Sequence, residues 1–341
     1  MRLLLSRKSV VLLLLGVLLV SCDRRFAPEG LLENYVKDLN RSEFVQIELG
    51  STSSMLPLPA LRDRQLALSQ FDVGLLEFLS LQQCDVGAVA GQRNSILGRV
   101  MATSQRFIYE LDIIRAIRTC DIDDMELRTK LLDVAQTKQN ELPLTFSNVL
   151  WAGEETQTFF SLANGYLPLS PESSQYQALI AALQHLNQIQ THLQDVPNIR
   201  SADIEADMKA IYESEYLGKL LFSVVHLHDY LDQITQALAP LSQSQTVCGP
   251  PLNFLKQQFE AHYIKVLQPY MARINKVAYQ VLPLIHSLGV HSPINSPEWR
   301  AFIHQFDYQN SDSAWQAYLR ASREHGRAWS QIFAVCGESV G

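Results

Sequence analysis

Three arginines within fourteen residues, Arg93, Arg99 and Arg106, form the densest group of chemically capable side chains in this sequence. A guanidinium is a planar fork that holds a carboxylate or phosphate through two parallel hydrogen bonds. Asn94, Tyr109 and Glu110 stand beside the arginines and complete a candidate pocket for an anionic group. The same residues also suit a tight turn between two helices. In that case Asn94 or Gly98 supplies the unusual dihedrals, and the arginines pair with Glu110 or Asp112. Both roles fit the spacing.

Nothing else carries a catalytic or metal-binding pattern. None of the nine histidines belongs to an H-E-x-x-H motif. His226 and His228 point about 200° apart on a helix, so they cannot chelate together, and His185 and His192 lie two turns apart. His325 falls in the apolar stripe of the last helix and is expected to be a hydrogen-bonded core histidine. Asp121, Asp123, Asp124 and Glu126 fail as an EF-hand loop, since Met125 takes a ligand position and no glycine follows. They suit a helix N-terminus better. Gly337-Glu338-Ser339-Val340-Gly341 spells G-x-S-x-G, but a nucleophile elbow needs a strand before it and a helix after it, and here the sequence stops. No phosphate loop or dinucleotide fingerprint occurs. The sequence therefore predicts no catalytic residue, no metal site and no cofactor.

The beginning of the chain says where such a protein would sit. Arg2, Arg7 and Lys8 precede an apolar run from Val10 to Val20, followed by Ser21 and Cys22. Basic residues, a short apolar stretch and a small residue before the cut are the marks of a secretory signal peptide. The run is too short to be a permanent span, which needs about 20 apolar residues. Leu19-Val20-Ser21-Cys22 resembles the lipobox of bacterial lipoproteins. That resemblance implies that Cys22 becomes the acylated N-terminus and that the lipid bilayer is the first partner. Asp23 is similar to the signal that retains some lipoproteins in the inner membrane; an outer-membrane location stays open.

Loss of residues 1–21 leaves 320 residues with 25 basic against 35 acidic side chains, a net charge of −10. An acidic surface argues against nucleic acid and against polybasic membrane contact. The 47% hydrophobic content excludes disorder. Apart from Cys22, four cysteines remain, Cys84, Cys120, Cys248 and Cys336. An even number in an oxidising compartment suggests two bridges, for which three connectivities exist. Cys84–Cys120 and Cys248–Cys336 are preferred, because each would close one half of the chain. No C-x-x-C supports a redox, haem or zinc motif.

The elements that must position these groups are helical, for the apolar residues recur at threes and fours and no run alternates as strands do. A short tether from Asp23 to Gly30 leads to a small helix, Leu31 to Arg41. Residues 42–68 read as irregular or extended, and Ser69 with Asp72 caps a helix through Leu75 and Leu79. The next helix runs from Thr103 or Ser104 to Cys120, and another follows the acids at 121–126. Leu142 to Leu169 looks irregular, broken by Pro143, Gly153, Gly165 and Pro168. Ser170-Pro171 opens a long helix that stops near Pro197. Ser201 begins one that would reach Leu238 if unbroken, with a coiled-coil-like seam from Leu220. A linker, Pro240 to Pro251, contains Cys248. Beyond it, Pro269 and Pro283 are expected to end or kink a helix. Ser296-Pro297-Glu298 caps a short helix, and the last runs from about Ser313 to Val335 with Gly337 at its C′ position.

The segment Arg93-Asn94-Ser95-Ile96-Leu97-Gly98-Arg99-Val100-Met101, with Ser104-Gln105-Arg106 and Tyr109-Glu110, resembles the signature of an uncharacterised family of Gram-negative lipoproteins, a domain of unknown function. The Leu-Leu-x-Phe-Leu before Cys84, Gln268-Pro269-Tyr270 and the closing Trp329 to Gly337 are similar to it as well. The resemblance implies no activity.

The sequence thus predicts a mainly α fold, an elongated helical bundle in two halves with two disulfides. Its divisions are a signal peptide at 1–21, a lipidated, irregular N-terminus at 22–60, and helical halves at 61–169 and 170–341. The expected function is that of a periplasmic, membrane-anchored lipoprotein with a non-catalytic interaction or envelope-maintenance role and an envelope protein as possible partner. The alternative is a ligand-binding or hydrolytic lipoprotein using the 93–110 cluster.

Overall fold

The computed structural model describes residues 24–69, 81, 84–94, 97–170 and 173–338, and among these no residue lies in a strand. The helices are α1 (Ala27–Leu39), α2 (Leu61–Arg64), α3 (Asp85–Asn94), α4 (Thr103–Thr119), α5 (Met125–Ala152), α6 (Glu154–Phe159), α7 (Gln177–Thr191), α8 (Ser201–Ser214) and α9 (Tyr216–Leu238). They continue with α10 (Pro250–Gln258), a π-helical segment (Phe259–Leu267), α11 (Gln268–Val290), α12 (Pro297–His304) and α13 (Ala314–Val335). The fold is a mainly α bundle. One hydrophobic cluster runs through it from Leu32 on α1 to Phe333 on α13. Cys84–Cys120 and Cys248–Cys336 are bridged, with Cα separations of 5.6 and 5.4 Å. Cys22, Asp23 and the helix expected after Ser69 lie outside the described residues.

Caps set several boundaries where the sequence placed them. The Asp124 carboxylate accepts from the Glu126 and Leu127 amides to start α5, and Ser296 and Ser313 do the same for α12 and α13. Gly337, at φ +72°, ends α13. Its amide donates to Ala334 and that of Glu338 to Phe333, the paired bonds of a Schellman motif. The seam on α9 is real: Leu220, Val224, Leu227, Leu231, Ile234 and Leu238 are all buried, and α9 lies along α13.

Tertiary packing overrode local signals at several points. The expected tether from Asp23 to Gly30 is ordered from Arg24 onward, first as a 3-10 turn and then as α1, because Pro28 opens the helix and its Leu32 and Tyr35 are fully buried. Pro143 does not end α5, which continues to Ala152. Its ring and missing donor cost roughly 3 kcal/mol, whereas burying Phe146, Val149, Leu150 and Trp151 beyond it returns about 1.5–3 kcal/mol for each large side chain. Irregular chain is therefore confined to the stretch after α6. The helix expected at Ser170 starts as a 3-10 turn at Ser173 and becomes α7 only at Gln177.

The segment from Ser201 to Leu238 breaks at Glu215, whose φ is +48°. The two pieces serve different partners, α8 packing on α6 and α7 while α9 packs on α13. The break also sets Gly218 against the Phe160 and Ser161 backbone, where a Cβ would collide. Neither Pro269 nor Pro283 ends α11. Pro269 follows the π-helical turns, where the hydrogen-bond ladder has already changed register.

On either side of α2, residues 45–60 and 65–69 form an extended strap that crosses the helices, and none of these residues lies in a strand. Side-chain amides take over the ladder's task, each bonding both the N–H and the C=O of one strap residue: Asn40 with Ile47, Gln305 with Leu56, and Asn148 with Leu66. Asp229 accepts from the amide and hydroxyl of Ser53 at 2.7 and 2.6 Å. Glu141 takes the amide and hydroxyl of Ser69. The spacing explains the match on α5. Asn148 and Glu141 are seven helical residues apart, about 10.5 Å, and Leu66 to Ser69 in extended chain covers about 10 Å. Arg64, only 2% exposed, bonds the Pro59 and Trp151 carbonyls, placing a cation at the negative C-terminal end of α5.

His325 is fully buried, as expected of a core histidine, and sits in a network assembled from three helices. The Thr235 hydroxyl donates to the Leu231 carbonyl at 2.6 Å, so it can only accept from His325 Nδ1 at 3.0 Å. Nδ1 therefore carries the proton. His325 Nε2 accepts from Tyr35 and Trp329, each at 3.1 Å. Burial lowers the imidazole pKa to about 3, so it is neutral.

Candidate functional site

The strap, α3, α4 and α5 enclose a cavity of about 460 Å³. Leu66 to Leu68 form one wall, held there by Asn148 and Glu141 of α5. Thr145 and Asn148 form the floor, while Arg93 from the end of α3 and Arg106 from the first turn of α4 line it with Met101 and Thr103. The two arginines come together where the 3-10 turn Leu97–Val100 packs back on the end of α3. Gly98 is essential there, since a Cβ would strike the Gln92 and Arg93 carbonyl oxygens. Arg93 itself donates to the Gly98 carbonyl, which fixes the turn and the guanidinium in one step.

Behind the cavity lies a compact charge cluster. Glu110, 3% exposed, accepts an ion pair from Arg106 at 2.5 Å and from Lys138 at 2.6 Å. Arg106 Cζ and Lys138 Nζ both stand over the Tyr109 ring, at 5.3 and 5.8 Å from its centre. Burial, and then the neighbouring Arg106 charge, lower the Arg93 pKa. Burial, and then Glu110, raise that of Tyr109. Among the described residues, Glu110 thus stands with three cations here, and Arg106 Nε meets no acceptor.

The residues singled out in the sequence divide between a cavity lining and ion pairs. Arg106 pairs with Glu110 as the turn role requires, whereas Asp112 pairs with Arg115, 2.5 Å away. Arg93 and Arg106 face the cavity; Tyr109 and Glu110 sit behind it and do not line it. Asn94 is the last residue of α3 and Arg99 lies on the 3-10 turn Leu97–Val100, but both side chains fall outside what the structure describes. Sequence inspection missed Lys138, the strap wall, Thr145 and Asn148. The one available signal was a Lys-x-x-Glu and Asn spaced along α5 amid apolar residues, buried polar groups that demand partners.

Among the described residues, no group of His, Cys, Asp and Glu could hold a metal ion, and no helix is long and apolar enough to cross a membrane. The described residues that line the cavity include no carboxylate, histidine or cysteine. A comparison with protein families matches residues 32–340 to the model described as protein of unknown function (DUF3080). No curated protein and no solved structure matches.

Proposed function

We propose that this chain, which belongs to the DUF3080 family, is a lipoprotein held at the periplasmic face of a bacterial membrane through acylated Cys22, where it binds a small anionic ligand without transforming it. The n-region, apolar run and lipobox-like Leu19 to Cys22 support the anchor, and Asp23 supports the inner membrane. The ligand reading is carried by one observation: Arg93 and Arg106 line one cavity in an acidic chain, and among the described residues the carboxylate that pairs with Arg106, Glu110, is turned behind the cavity and shared with Lys138. A carboxylate or phosphate fits such a lining.

Binding is favoured over hydrolysis because general acid or base catalysis needs a titratable group within hydrogen-bond reach of the reacting atoms. Among the described residues, the polar groups of the cavity walls are arginine, threonine and amide groups.

Calorimetric titration of the purified protein with inorganic phosphate and with a small dicarboxylate tests the pocket. Saturable binding to one of them is expected, weakened about 10- to 100-fold in Arg93→Ala, since a charged hydrogen bond contributes about 1.5–3 kcal/mol. Equal affinity in the two proteins, or no binding of either anion, would sink the pocket. Intact mass of the Cys22 peptide from membrane-extracted protein tests the anchor.

A further inference from the structure

Resting on acylation of Cys22, we infer that the surface around Phe26 is the face that lies on the lipid bilayer, so that the anchored body stands in one orientation on the membrane. Cys22 precedes Arg24 by two residues, which limits its Cα to about 7 Å from that of Arg24. The polar headgroup layer of one leaflet is about 5–7 Å thick. Acyl chains leaving Cys22 for the hydrocarbon therefore hold Arg24–Phe26 at headgroup depth.

Those residues cannot swing away. The Tyr166 amide donates to the Arg25 carbonyl at 2.9 Å, and Arg25 Nη1 donates to the Ala163 carbonyl at 3.3 Å. Phe26 meets the rings of Tyr166 and Phe222 edge-on, at 6.5 and 5.9 Å. Gly165, at φ +71°, lets the Arg25 carbonyl approach to where a Cβ would be 2.9 Å from it. The platform beneath is fixed in turn, since the Leu167 amide bonds Ser223 and the Leu167 carbonyl bonds Tyr270. Directly after Phe26 comes α1, a core helix whose Tyr35 hydroxyl joins the His325 network.

What this face presents suits an interface between water and lipid. Phe26 is 38% exposed, with Ala163 exposed beside it and Phe222 and His226, stacked at 4.2 Å, half-buried behind it. The Arg25 guanidinium stands 5.9 Å over the Phe26 ring. An aromatic body with a cationic rim is the side-chain pattern of membrane interfaces, where the ring enters the headgroups and the arginine meets phosphate.

The test uses the full acylated chain in phosphatidylethanolamine and phosphatidylglycerol vesicles doped with a diazirine-bearing phosphatidylcholine, followed by mass mapping of lipid adducts. Adducts are expected to concentrate on residues 24–27, 162–164 and 219–226. Insertion of about eight Gly/Ser residues between Asp23 and Arg24, spanning roughly 15 Å as random coil, should lower their yield severalfold while leaving the acyl mass on Cys22. Adducts spread evenly, centred on another face, or unmoved by the insertion overturn the inference. A Cys22 peptide without acyl mass overturns the anchor itself, and this orientation with it.

Discussion

Two polar clusters in this molecule solve opposite problems. The His325 network draws Tyr35, Thr235, His325 and Trp329 from α1, α9 and α13, and each polar hydrogen in it has an acceptor. The arginine pocket draws Arg93, Arg106 and Glu110 from one short stretch plus Lys138, and among the described residues it sets three cations around one carboxylate. A closed network in low dielectric rigidifies the fold, because removing any member strands the others without solvent. The arginine cluster instead lies beside a cavity, with two of its cations on the cavity lining. Buried polarity alone does not separate the two; the adjoining cavity does.

The contrast makes its largest demand on His325. His325→Ala would leave the Tyr35 hydroxyl without its acceptor, while the Trp329 indole keeps the Tyr35 oxygen, and would open a cavity among Phe259, Tyr263 and Trp329. A loss of about 3–5 kcal/mol is expected, from the orphaned hydroxyl and the deleted volume together. Urea denaturation with both disulfides intact would measure it, and a loss below about 1 kcal/mol, the scale of an ordinary surface change, would show that the network is not a structural keystone.

A smaller, graded effect is expected with pH. The His325 pKa is depressed to about 3 in the folded protein, against about 6.5 in the unfolded chain. Between these values the unfolded state binds a proton that the folded state does not, so stability falls as pH drops below 6.5. The slope approaches about 1.4 kcal/mol per unit and stops near the folded pKa. Carboxylates titrate in the same range, so the difference between the parent and His325→Gln isolates the histidine. Parallel stability profiles for the two proteins from pH 7 to 4 would refute the neutral, buried imidazole.

The pocket should give the smallest stability change. Arg93→Ala removes a half-buried cation whose own environment disfavours its charge, but also its hydrogen bond to the Gly98 carbonyl, and a loss of about 0.5–1.5 kcal/mol is expected. Arg106→Ala should cost more, about 1.5–3 kcal/mol, since Glu110 keeps Lys138 as a partner but loses one of its two cations. Melting curves of the two variants side by side decide it. If Arg93→Ala proves as damaging as His325→Ala, the pocket is structural and the distinction drawn between the clusters collapses.

Helical class, the two disulfide pairs, the caps at Asp124, Ser296, Ser313 and Gly337, and the seam along α9 were all legible in the sequence. Each depends on residues a few positions apart or, for the cysteines, on a chemistry with few possible pairings. The same locality made the arginine cluster visible, since Arg93, Arg106 and Glu110 are close along the chain. Other features depended on partners far away in sequence. Pro143 stays inside a helix because of the core beyond it, and Ser201 to Leu238 divides at Glu215 because its two pieces face different helices. The strap is read only when Asn148 and Glu141 are set against Leu66 and Ser69. His325 was recognisable as buried from its stripe, but its partners Tyr35 and Thr235 lie 290 and 90 residues away. Local sequence fixes backbone preference and periodicity, which are short-range energies. Which polar groups end up satisfied and which come to line a cavity is decided only when distant segments compete for the same hydrogen bonds, and that competition exists only in the folded molecule.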